Sequence, residues 1–425
     1  MTFRVSGSIR VPGDKSISHR ALMLSALTEG TSRITGILDS ADIRSTAGVL
    51  RAWGVEIPEL SDDFRIRGVG TRNLQPATRD LDCGNSGTSA RLLAGIAAAQ
   101  KFESRFVGDA SLSRRPMRRV ATPLSEMGAT VTLAEHGGLP MTVRGGALKP
   151  IHYFSETSSA QVKSAVLLAG IASGVPVSVI EPLRSRDHSE RMLEARGAHV
   201  HTEAVREGHC VHLGKTGRLH ALDTAVPGDP SSAAFFAGLA ALAGSGEIGL
   251  EGVCVNPART GAFAVLERMG ASIRITDRRE SGGEPIATVV AAPKALRATT
   301  IGGTEIPSLI DELPLLACVA ARAEGETVIS GAAELRVKES DRIATVVSNL
   351  RAIGVIAEEL PDGLRVTGSD RRLAGGVVTH GDHRIAMAFG ILGALPGNDI
   401  AVDDRDCVAV SYPAFWSHLS AAVSL

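Results

Sequence analysis

The chain has 425 residues, of which 44% are hydrophobic and only 3% aromatic. This length exceeds what one hydrophobic core supports and predicts two or three domains. A formal net charge of −1 excludes a bulk electrostatic attraction to nucleic acid, and the shortage of aromatic rings argues against a base-stacking surface.

The cysteines and the apolar stretches predict the compartment. Five cysteines lie far apart in the sequence, which suits reduced thiols in a cytoplasm. Residues 1–5 are too polar for a signal peptide, and the longest apolar stretches, 165–172 and 233–243, are too short for a membrane span. We therefore expect a soluble cytoplasmic protein.

The predicted elements recur in two interleaved series. Short clusters of Ser, Asp, Arg and Lys precede apolar helices at six points, near Ser16, Ser86, Ser159, Ser231, Asp311 and Asp382. A second series of helices opens near Ser40, Ser113, Arg186, Pro257, Glu339 and Ser411. Five of its members end on a Leu followed four residues later by a capping Gly: Gly54, Gly128, Gly197, Gly270 and Gly354. The chain therefore reads as six repeats of a unit with two helices and several strands.

The repeats divide the chain into two lobes of three. We expect an inserted lobe over residues 14–226 and a second lobe over 1–13 plus 227–425, with a hinge near 12–14 and 226–230. Residues 3–11 alternate and predict a strand, whereas the last helix, 415–423, has no predicted strand after it. The N-terminal strand could supply the missing one. A ligand cleft between the lobes, which would close on binding, is the expected location of a site.

The polar clusters predict a small, multiply anionic ligand, because a helix N-terminus offers free N–H groups and a positive dipole end. In the first cluster Lys15, Ser16 and Arg20 can converge on one oxyanion, although an ordinary cap with a solvated Arg remains an alternative.

Glycine-rich and arginine-rich segments follow. Residues 82–91 place two glycines around Asn85 and Ser86, which predicts an anion nest, though a plain Gly-rich turn is common. No Lys follows the glycines, so the segment is not a Walker motif. Arg115 can grip a carboxylate or phosphate through two nitrogens, while Arg118 and Arg119 are interpreted as solvated.

Clusters in the second half bring acids and cations together. Asp311 and Glu312 open an apolar helix, where acids also simply favour the helix dipole. Lys338, Glu339 and Arg342 lie in a charged run that would ordinarily be a salt-bridged helix face, and Arg384 lies in a third cluster. Only together do these clusters predict catalysis, with cations to bind anions and carboxylates to move protons.

A possible zinc site is rejected. His199, His201, His209 and His212 flank an apparent hairpin, but neither an HExxH motif nor paired CxxC motifs support a metal, and we expect none.

The assembled motifs resemble the 5-enolpyruvylshikimate-3-phosphate synthase family over essentially the whole chain. The matching segments are residues 14–20, 84–88, 115–117, 159–161, 311–314, 336–342 and 382–384. The resemblance implies a two-lobed inside-out α/β barrel of six repeats, the enolpyruvyl transferase fold. It also implies transfer of the enolpyruvyl group of phosphoenolpyruvate to the 5-hydroxyl of shikimate 3-phosphate, with release of phosphate and without a cofactor. We expect a monomer.

The resemblance also implies roles for individual residues. Lys15 would touch both substrates, and Ser16 and Arg20 would hold the carboxylate side of shikimate 3-phosphate. The 3-phosphate would be held by Ser159, Ala160, Gln161 and Ser185. Phosphoenolpyruvate would be bound by Arg115, Arg342 and Arg384 with Lys15, Gln161 and the loop of Asn85 and Gly87. Asp311 would face the ring hydroxyls of shikimate 3-phosphate and take the 5-hydroxyl proton, Glu339 would serve the methylene carbon, and Lys338 would neutralise charge beside them.

Two positions depart from the family pattern. Glu334 stands where many members have Asn, and Val410 stands where many have a phosphate-binding Lys. The nearest alternative is the sister family that acts on a UDP-sugar, but this chain has Lys15-Ser16 rather than a Lys-Asn pair, and no Cys lies in residues 107–116. An RNA 3′-phosphate cyclase-like protein and a catalytically silent relative are the remaining alternatives.

Overall fold

The computed structural model describes residues 3–424 and shows a chain in which helices and short strands alternate. The α-helices are α1 (Lys15–Leu27), α2 (Ala41–Ala52), α3 (Gly87–Ala98), α4 (Ala110–Arg114), α5 (Arg118–Glu126), α6 (Ala160–Ser173), α7 (His188–Glu194), α8 (Pro230–Leu242), α9 (Gly261–Arg268), α10 (Leu313–Ala320), α11 (Arg342–Ala352), α12 (His383–Gly393) and α13 (Phe415–Ala422). Short 3₁₀ helices cover Gly303–Ser308, Ile310–Glu312, Ala333–Val337 and Asp406–Val410.

The strands are short and lie between these helices. They are β1 (Arg4–Val5), β2 (Ser8–Ile9), β3 (Glu29–Thr35), β4 (Asp63–Val69), β5 (Leu81–Asp82), β6 (Glu103–Val107), β7 (Thr130–Leu133), β8 (Met141–Arg144), β9 (Ile151–Phe154), β10 (Val177–Glu181), β11 (Val200–Val205), β12 (Gly208–Leu213), β13 (Thr224–Ala225), β14 (Ser245–Gly246), β15 (Ile248–Cys254), β16 (Ser272–Ser281), β17 (Glu284–Ala292), β18 (Thr300–Ile301), β19 (Glu326–Ile329), β20 (Ile356–Leu360), β21 (Gly363–Thr367), β22 (Ala374–Val377), β23 (Asp399–Val402) and β24 (Val423–Ser424).

Both predicted helix series are present. The first series consists of α1, α3, α6, α8, α10 and α12, whose central residues are almost all buried. The second consists of α2, α5, α7, α9, α11 and α13, and each of the five predicted capping glycines has a positive φ, between 85° and 113°. Only glycine adopts this conformation without strain. The sixfold repeat is therefore confirmed.

Small residues explain how the buried helices fit together. A Cβ placed on Gly95 of α3 would lie 2.2 Å from the carbonyl oxygen of Ala165 in α6, so these two backbones pack closely. A Cβ on Gly238 of α8 would lie 2.9 Å from Leu315 of α10. Larger residues at these positions would force the helices apart.

The sheets also repeat one pattern. In the order β5-β6-β8-β7 the first pair is parallel and the others are antiparallel, and β9-β10-β12-β11 and β18-β19-β21-β20 have the same arrangement. The remaining sheets have the orders β13-β3-β4, β2-β15-β17-β16, β14-β1-β24 and β22-β23. The parallel pairs β5-β6, β9-β10, β18-β19 and β22-β23 are each joined through a helix of the first series, α3, α6, α10 or α12.

The chain forms two compact units. One, here called the continuous unit, comprises Gly13–Pro227 together with Glu280–Glu284, and the rest of the described chain forms the discontinuous unit. The predicted lobe boundaries did not include Glu280–Glu284. Residues 1, 2 and 425 of the predicted second lobe lie outside the described chain, and the hinge stays a prediction.

The same four residues, Val-Pro-Gly-Asp, occur at both chain crossings, at 11–14 and 226–229. In the continuous unit the Asp14 N–H donates to the Pro227 carbonyl at 2.7 Å, and in the discontinuous unit the Asp229 N–H donates to the Pro12 carbonyl at 2.8 Å. Each aspartate then caps a buried helix, α1 or α8. The two crossings are thus bonded to each other reciprocally.

Two strand predictions at the ends of the fold were wrong. Residues 3–11 form two short strands rather than one, because Gly7 has φ of 103° and interrupts the extended backbone. A strand, β24, does follow the last helix, since Val423 is already extended, and it pairs antiparallel with β1. Within residues 3–424 no helix is both long and apolar enough to cross a membrane.

Candidate active site

The first predicted cluster lies at the start of α1 in the continuous unit. The buried Asp14 carboxylate caps the helix by accepting from the Ile17 N–H at 2.8 Å, which leaves Lys15 and Ser16 half-buried on the first turn. Lys15 Nζ lies 3.1 Å from Asp42 Oδ2. Asp42 belongs to α2 and was not predicted as part of the site, yet it sets the position of the Lys15 ammonium group.

Arg20 is directed into the interior of the continuous unit. Its guanidinium donates to Ser189 Oγ and Ser164 Oγ, both at 2.8 Å, and to the Ser16 carbonyl at 2.9 Å. Burial lowers the pKa of Arg20 to about 10 against the opposing effect of Glu190 and other carboxylates. The structure thus brings Arg20 and Ser16 together, and any ligand contact of Arg20 must use its remaining N–H groups.

The glycine-rich segment forms a turn into α3. Ser86 caps this helix, and Asn85 is held on both sides of its amide: Nδ2 donates to Asp109 Oδ2 at 2.6 Å and Oδ1 accepts from Arg115 Nη2 at 2.5 Å. Arg115 Nη1 also donates to the Asn85 carbonyl at 3.4 Å. Asn85 and Arg115, predicted from segments thirty residues apart, are therefore in direct contact.

Gly87 lies against an arginine that the sequence analysis did not assign to the site. A Cβ added to Gly87 would lie 2.7 Å from Arg91 Nη1 and 3.6 Å from Arg115 Nη1. Arg91 Nη1 donates to Gln161 Oε1 at 2.8 Å, and Gln161 Nε2 donates to Thr88 Oγ1 at 3.1 Å. These side chains join the Gly87 turn to the start of α6. Arg91 follows Gly87 by one helical turn, and this i, i+4 spacing was the signal that could have identified it.

The predicted phosphate residues belong to α6 and to the segment before α7. Ser159 caps α6 with Ala160 as its first residue, and both are half-buried. Ser185 is buried, and its N–H and Oγ both donate to the Glu181 carboxylate, at 2.8 Å and 2.7 Å. A phosphate can take these donors only by drawing them from Glu181.

Glu181 belongs to a buried charge cluster. Lys163 Nζ lies 2.7 Å from Glu181 Oε1 and 2.8 Å from Glu190 Oε1, and all three side chains are almost completely buried. Burial alone would lower the pKa of Lys163, but Glu190 and Glu181 outweigh it and raise that pKa. Burial raises the pKa of Glu190 despite Lys163. The cluster ties α6 to the segment that carries Ser185.

A chain of buried hydroxyl groups connects α1, α2 and α3. His19 Nδ1 lies 2.7 Å from Thr46 Oγ1, which lies 2.7 Å from Ser89 Oγ, and Ser89 Oγ donates to the capping Ser86 Oγ at 2.8 Å. Burial lowers the pKa of His19 to about 3, with Lys15 and Arg20 acting in the same direction and Asp42 against it. His19 is therefore neutral in the folded protein at physiological pH.

The low pKa of His19 predicts a specific acid sensitivity. An unfolded histidine has a pKa near 6.5, so between pH 6.5 and about 3 the unfolded chain binds a proton that the folded chain does not. The contribution of His19 to the free energy of unfolding is therefore fully present above pH 6.5, and it falls by about 1.4 kcal/mol per pH unit below that pH. We expect the free energy of unfolding of His19→Asn, measured in urea between pH 7 and 5, to fall less steeply with decreasing pH than that of the unsubstituted protein. The two slopes should differ by about 1.4 kcal/mol per pH unit. The exposed His152→Asn is the control, and equal slopes in all three proteins would contradict the prediction.

In the discontinuous unit, Arg342 lies at the centre of three carboxylates. Its Nε and Nη2 donate to Asp382 at 2.8 Å and 3.2 Å, Nη2 donates to Glu339 Oε2 at 2.7 Å, and Nη1 donates to Asp311 Oδ1 at 3.1 Å. Burial would lower the pKa of Arg342, but the carboxylates outweigh it and raise that pKa. In return Arg342 overcomes the effect of burial on Asp382 and lowers the pKa of that carboxyl.

Asp311 is surrounded by cations. Besides Arg342, Lys338 Nζ lies 3.8 Å from Asp311 Oδ1, and Arg384 Nη2 lies 4.0 Å from Asp311 Oδ2. Asp311 occupies a 3₁₀ turn, Ile310–Glu312, rather than the α-helix itself, which begins at Leu313. The structure therefore brings together all five residues predicted in this half of the chain, listed as Asp311, Lys338, Glu339, Arg342 and Arg384.

Glu312 and Arg259 extend this cluster and were not predicted. Glu312 Oε1 accepts from Ser231 Oγ and lies 3.6 Å from Arg384 Nη1. Arg259 Nη2 donates to Ser231 Oγ at 3.0 Å and to Asp229 Oδ1 at 3.1 Å. The helix start of α8 is thereby linked to Arg384.

Both departures from the family pattern have defined surroundings. Glu334 Oε1 lies 3.5 Å from Lys338 Nζ, one helical turn away in the chain. Val410 ends the 3₁₀ helix Asp406–Val410 and is half-buried. Arg405, just before that helix, stacks on Trp416 with its guanidinium carbon 3.7 Å from the ring centroid.

Of the rejected zinc residues, His201, His209 and His212 lie on the antiparallel pair β11 and β12, and His199 directly precedes β11. His201 pairs with His212, whose ring nitrogens contact Ser178 Oγ at 2.8 Å and Glu203 Oε1 at 3.0 Å. Across residues 3–424 there is no cluster of three or more His, Cys, Asp or Glu side chains arranged to hold a metal ion.

Comparison with known proteins first defines the class. The structure of the enolpyruvyl transferase NikO from Streptomyces tendae superposes with a TM-score of 0.75 at 19% identity, covering 99% of this chain and 95% of that one. At this identity the likeness shows the fold, which is the enolpyruvyl transferase α/β fold predicted from the sequence.

Closer similarities define the family. The family model described as EPSP synthase (3-phosphoshikimate 1-carboxyvinyltransferase) matches residues 2–419. A 3-phosphoshikimate 1-carboxyvinyltransferase from Sulfurihydrogenibium sp. is 46% identical over 98% of this chain and 97% of its own. An EPSP synthase structure from Acinetobacter baumannii matches with a TM-score of 0.88 and 41% identity, over 100% of this chain and 98% of that one. The chain belongs to the EPSP synthase family, which confirms the resemblance and decides against the UDP-sugar and RNA alternatives.

Proposed function

We propose that the predicted residues of the continuous unit and those around Arg342 in the discontinuous unit serve one reaction. The cations bind the substrate anions, and Asp311 and Glu339 move protons. The chain's family defines that reaction, the transfer of the enolpyruvyl group of phosphoenolpyruvate to shikimate 3-phosphate in aromatic biosynthesis. One observation carries the proposal: the buried guanidinium of Arg342 donates hydrogen bonds to both carboxylates, from Nη1 to Asp311 and from Nη2 to Glu339.

We assign the proton steps of this reaction to the two carboxylates. Protonation of the phosphoenolpyruvate methylene carbon, assigned to Glu339, gives an oxocarbenium-like carbon. The 5-hydroxyl oxygen attacks this carbon while its proton passes to Asp311, forming a tetrahedral ketal. Loss of a methyl proton back to Glu339, with the proton on Asp311 passing to the departing phosphate, then expels phosphate and restores the double bond. Lys338, 3.8 Å from Asp311, compensates the charge that changes there.

The anion-binding roles are divided between two groups of residues. Shikimate 3-phosphate is assigned to Lys15, Ser16, Arg20, Ser159, Ala160, Gln161, Ser185, Asp311 and Lys338. Phosphoenolpyruvate is assigned to Lys15, Asn85, Gly87, Arg115, Gln161, Arg342 and Arg384. Three contacts support the second group: Asn85 with Arg115, Gly87 beside Arg91, and Arg91 with Gln161. To this group we add Arg91, whose Nη2 also donates to the Pro116 carbonyl.

The pure protein with both substrates tests the reaction directly. Phosphate should be released only when shikimate 3-phosphate and phosphoenolpyruvate are both present, in step with formation of the enolpyruvyl product detected by mass spectrometry. Release with a UDP-sugar acceptor in place of shikimate 3-phosphate, or release without any acceptor, would contradict the proposed function.

Gly87→Ala should weaken phosphoenolpyruvate binding selectively. The added methyl group would lie 2.7 Å from Arg91 Nη1 and displace the guanidinium from Gln161. We expect KM for phosphoenolpyruvate to rise about tenfold, equivalent to about 1.4 kcal/mol, with KM for shikimate 3-phosphate changed less than about twofold.

Gly48→Ala is the matched control for that substitution. Gly48 lies in α2 of the same unit, and a Cβ there would meet no atom within 4 Å. Its steady-state constants should equal those of the unsubstituted protein. An equal rise of both KM values in Gly87→Ala would remove the turn from the phosphoenolpyruvate site.

We also infer a cytoplasmic monomer. The cysteines support the compartment, because Cys83, Cys210, Cys254 and Cys318 are buried free thiols and Cys407 is half-buried, as expected in a reducing environment. Sedimentation of the pure protein at several concentrations tests the monomer, since a mass that rises with concentration would contradict it.

A further inference from the structure

The tip of the β16–β17 hairpin belongs to the continuous unit although its strands belong to the other unit. Residues 280–284 are grouped with Gly13–Pro227, whereas Gly228–Arg279 and the chain from Pro285 are grouped together. The tip turns through Gly282 and Gly283, which have φ of 58° and 87°. Two successive positive φ angles make the tight two-residue turn that fits the twist of an antiparallel hairpin.

The tip contacts α7 and the segment that contains Ala225. A Cβ on Gly283 would lie 2.6 Å from the Arg191 carbonyl oxygen, so the turn touches the backbone of α7. Ser281 Oγ donates to the Ala225 carbonyl at 3.1 Å and accepts from the Ala225 N–H at 3.2 Å. These contacts require glycine at the turn and leave no room for a side chain there.

The residue after the turn, Glu284, makes a buried contact with the first residue of α7. His188 Nδ1 lies 2.7 Å from Glu284 Oε1, and the two side chains are 0% and 1% exposed. Burying a polar pair costs solvation free energy that an apolar tip of the same shape would avoid. Stability alone therefore does not explain why the buried hydrogen bond between His188 and Glu284 is present.

The first turn of α7 contacts Arg20, which is assigned to shikimate 3-phosphate. Ser189, directly after His188, accepts from Arg20 Nε at 2.8 Å and lies 2.7 Å from Ser164 Oγ. Ser185 lies three residues before His188. A rotation of this turn would move the Ser189 hydroxyl and with it the guanidinium of Arg20.

We propose that Glu284 is a positioning residue for the binding of shikimate 3-phosphate. It holds the first turn of α7 in place through His188, and this turn orients the guanidinium of Arg20. The proposal rests on the proposed function, because it takes Arg20 as a ligand of that substrate. Glu284 itself touches no substrate. It positions the turn through the hydrogen bond to His188, which an uncharged acceptor of the same length also makes. Its charge acts on Arg20 separately, because burial lowers the pKa of that guanidinium and the Glu284 carboxylate opposes this effect.

Three substitutions at position 284 test the proposal in the full-length protein. Glu284→Ala should raise KM for shikimate 3-phosphate, and its calorimetric Kd, about tenfold, with KM for phosphoenolpyruvate and kcat within about twofold. Glu284→Gln keeps an oxygen acceptor for His188 and should behave like the unsubstituted protein. Glu284→Asp withdraws the carboxylate by one methylene and should raise KM for shikimate 3-phosphate several-fold.

Glu280→Ala is the matched control, because Glu280 is an exposed carboxylate in the same tip. It should leave every constant unchanged. If Glu284→Ala fails to fold, the Gln and Asp variants decide the same question, since both conserve most of the packing.

The proposal is overturned if Glu284→Ala leaves KM for shikimate 3-phosphate unchanged, if both KM values rise equally, or if Gln performs no better than Asp. Failure of the proposed function is distinguishable, because the unsubstituted protein would then release no phosphate from the two substrates. Normal release by the unsubstituted protein with an unaffected Glu284→Ala variant rejects only the role of Glu284.

Discussion

Asp311→Asn should lower kcat by roughly 10²-fold or more while the protein still folds and binds shikimate 3-phosphate within about tenfold. Asn has the shape of Asp and can still accept the Arg342 Nη1 hydrogen bond through Oδ1, which is 3.1 Å long in the native protein. It cannot accept a proton from the 5-hydroxyl group. Binding and turnover should therefore separate, which calorimetry and the phosphate-release assay measure independently.

Glu334→Gln is the control for that experiment. Glu334 also lies close to Lys338, at 3.5 Å, but it is more than a third exposed and has no assigned step in the reaction. Its turnover should stay within about twofold. Near-normal turnover of Asp311→Asn would exclude Asp311 as the base and leave it as an electrostatic partner of Arg342.

Arg342→Lys should have the second large effect, a fall in kcat/KM of roughly 10³-fold. Lysine keeps one positive charge but presents a single nitrogen, whereas Arg342 donates to Asp382, Glu339 and Asp311 through three nitrogens. At least one buried carboxylate loses its donor, and removal of a partner from a buried ion pair costs about 3 kcal/mol or more. A lower midpoint in thermal unfolding should accompany the loss of activity.

Arg365→Lys provides the comparison for Arg342→Lys. Arg365 also contacts two carboxylates, Glu326 at 3.4 Å and Glu358 at 3.2 Å, but all three side chains are exposed. Exposed ion pairs contribute about 1 kcal/mol or less, so both activity and stability should be nearly unchanged. Equal activity and equal stability of the two lysine variants would contradict the prediction that the contacts of Arg342 with three carboxylates are needed for catalysis.

The sequence predicted the repeating helices because their signals are local. In five of the six repeats, the polar start of the second helix and its terminal glycine lie within about fifteen residues of each other, so the helix is marked at both ends. The predicted site residues followed from the same signals, since they stand at the helix starts. Asn85 and Arg115 could be proposed as neighbours only because the family resemblance assigned both to phosphoenolpyruvate, and Asp311 and Arg342 only because it assigned both to one reaction.

The supporting residues could not be predicted in this way. Asp42 approaches Lys15 from a helix 27 positions further along, and Ser231 contacts Glu312 across 81 positions. No periodic pattern links such positions, because their contact depends on how separate helices pack against each other. The strand β24 was missed for another reason: two residues are too few to show an alternating pattern.

The two units differ in the order in which a ribosome would deliver their parts. The continuous unit is complete, apart from its five-residue tip, as soon as Pro227 has been synthesised, so it can fold on the nascent chain. The discontinuous unit must hold β1 and β2 unpaired until β14, β15 and finally β24 are made. These pairings close loops of hundreds of residues, so we expect formation of this unit to be the slow step. Glu284 is synthesised after residues 13–227 of the continuous unit, so it can form its hydrogen bond to His188 once α7 has folded.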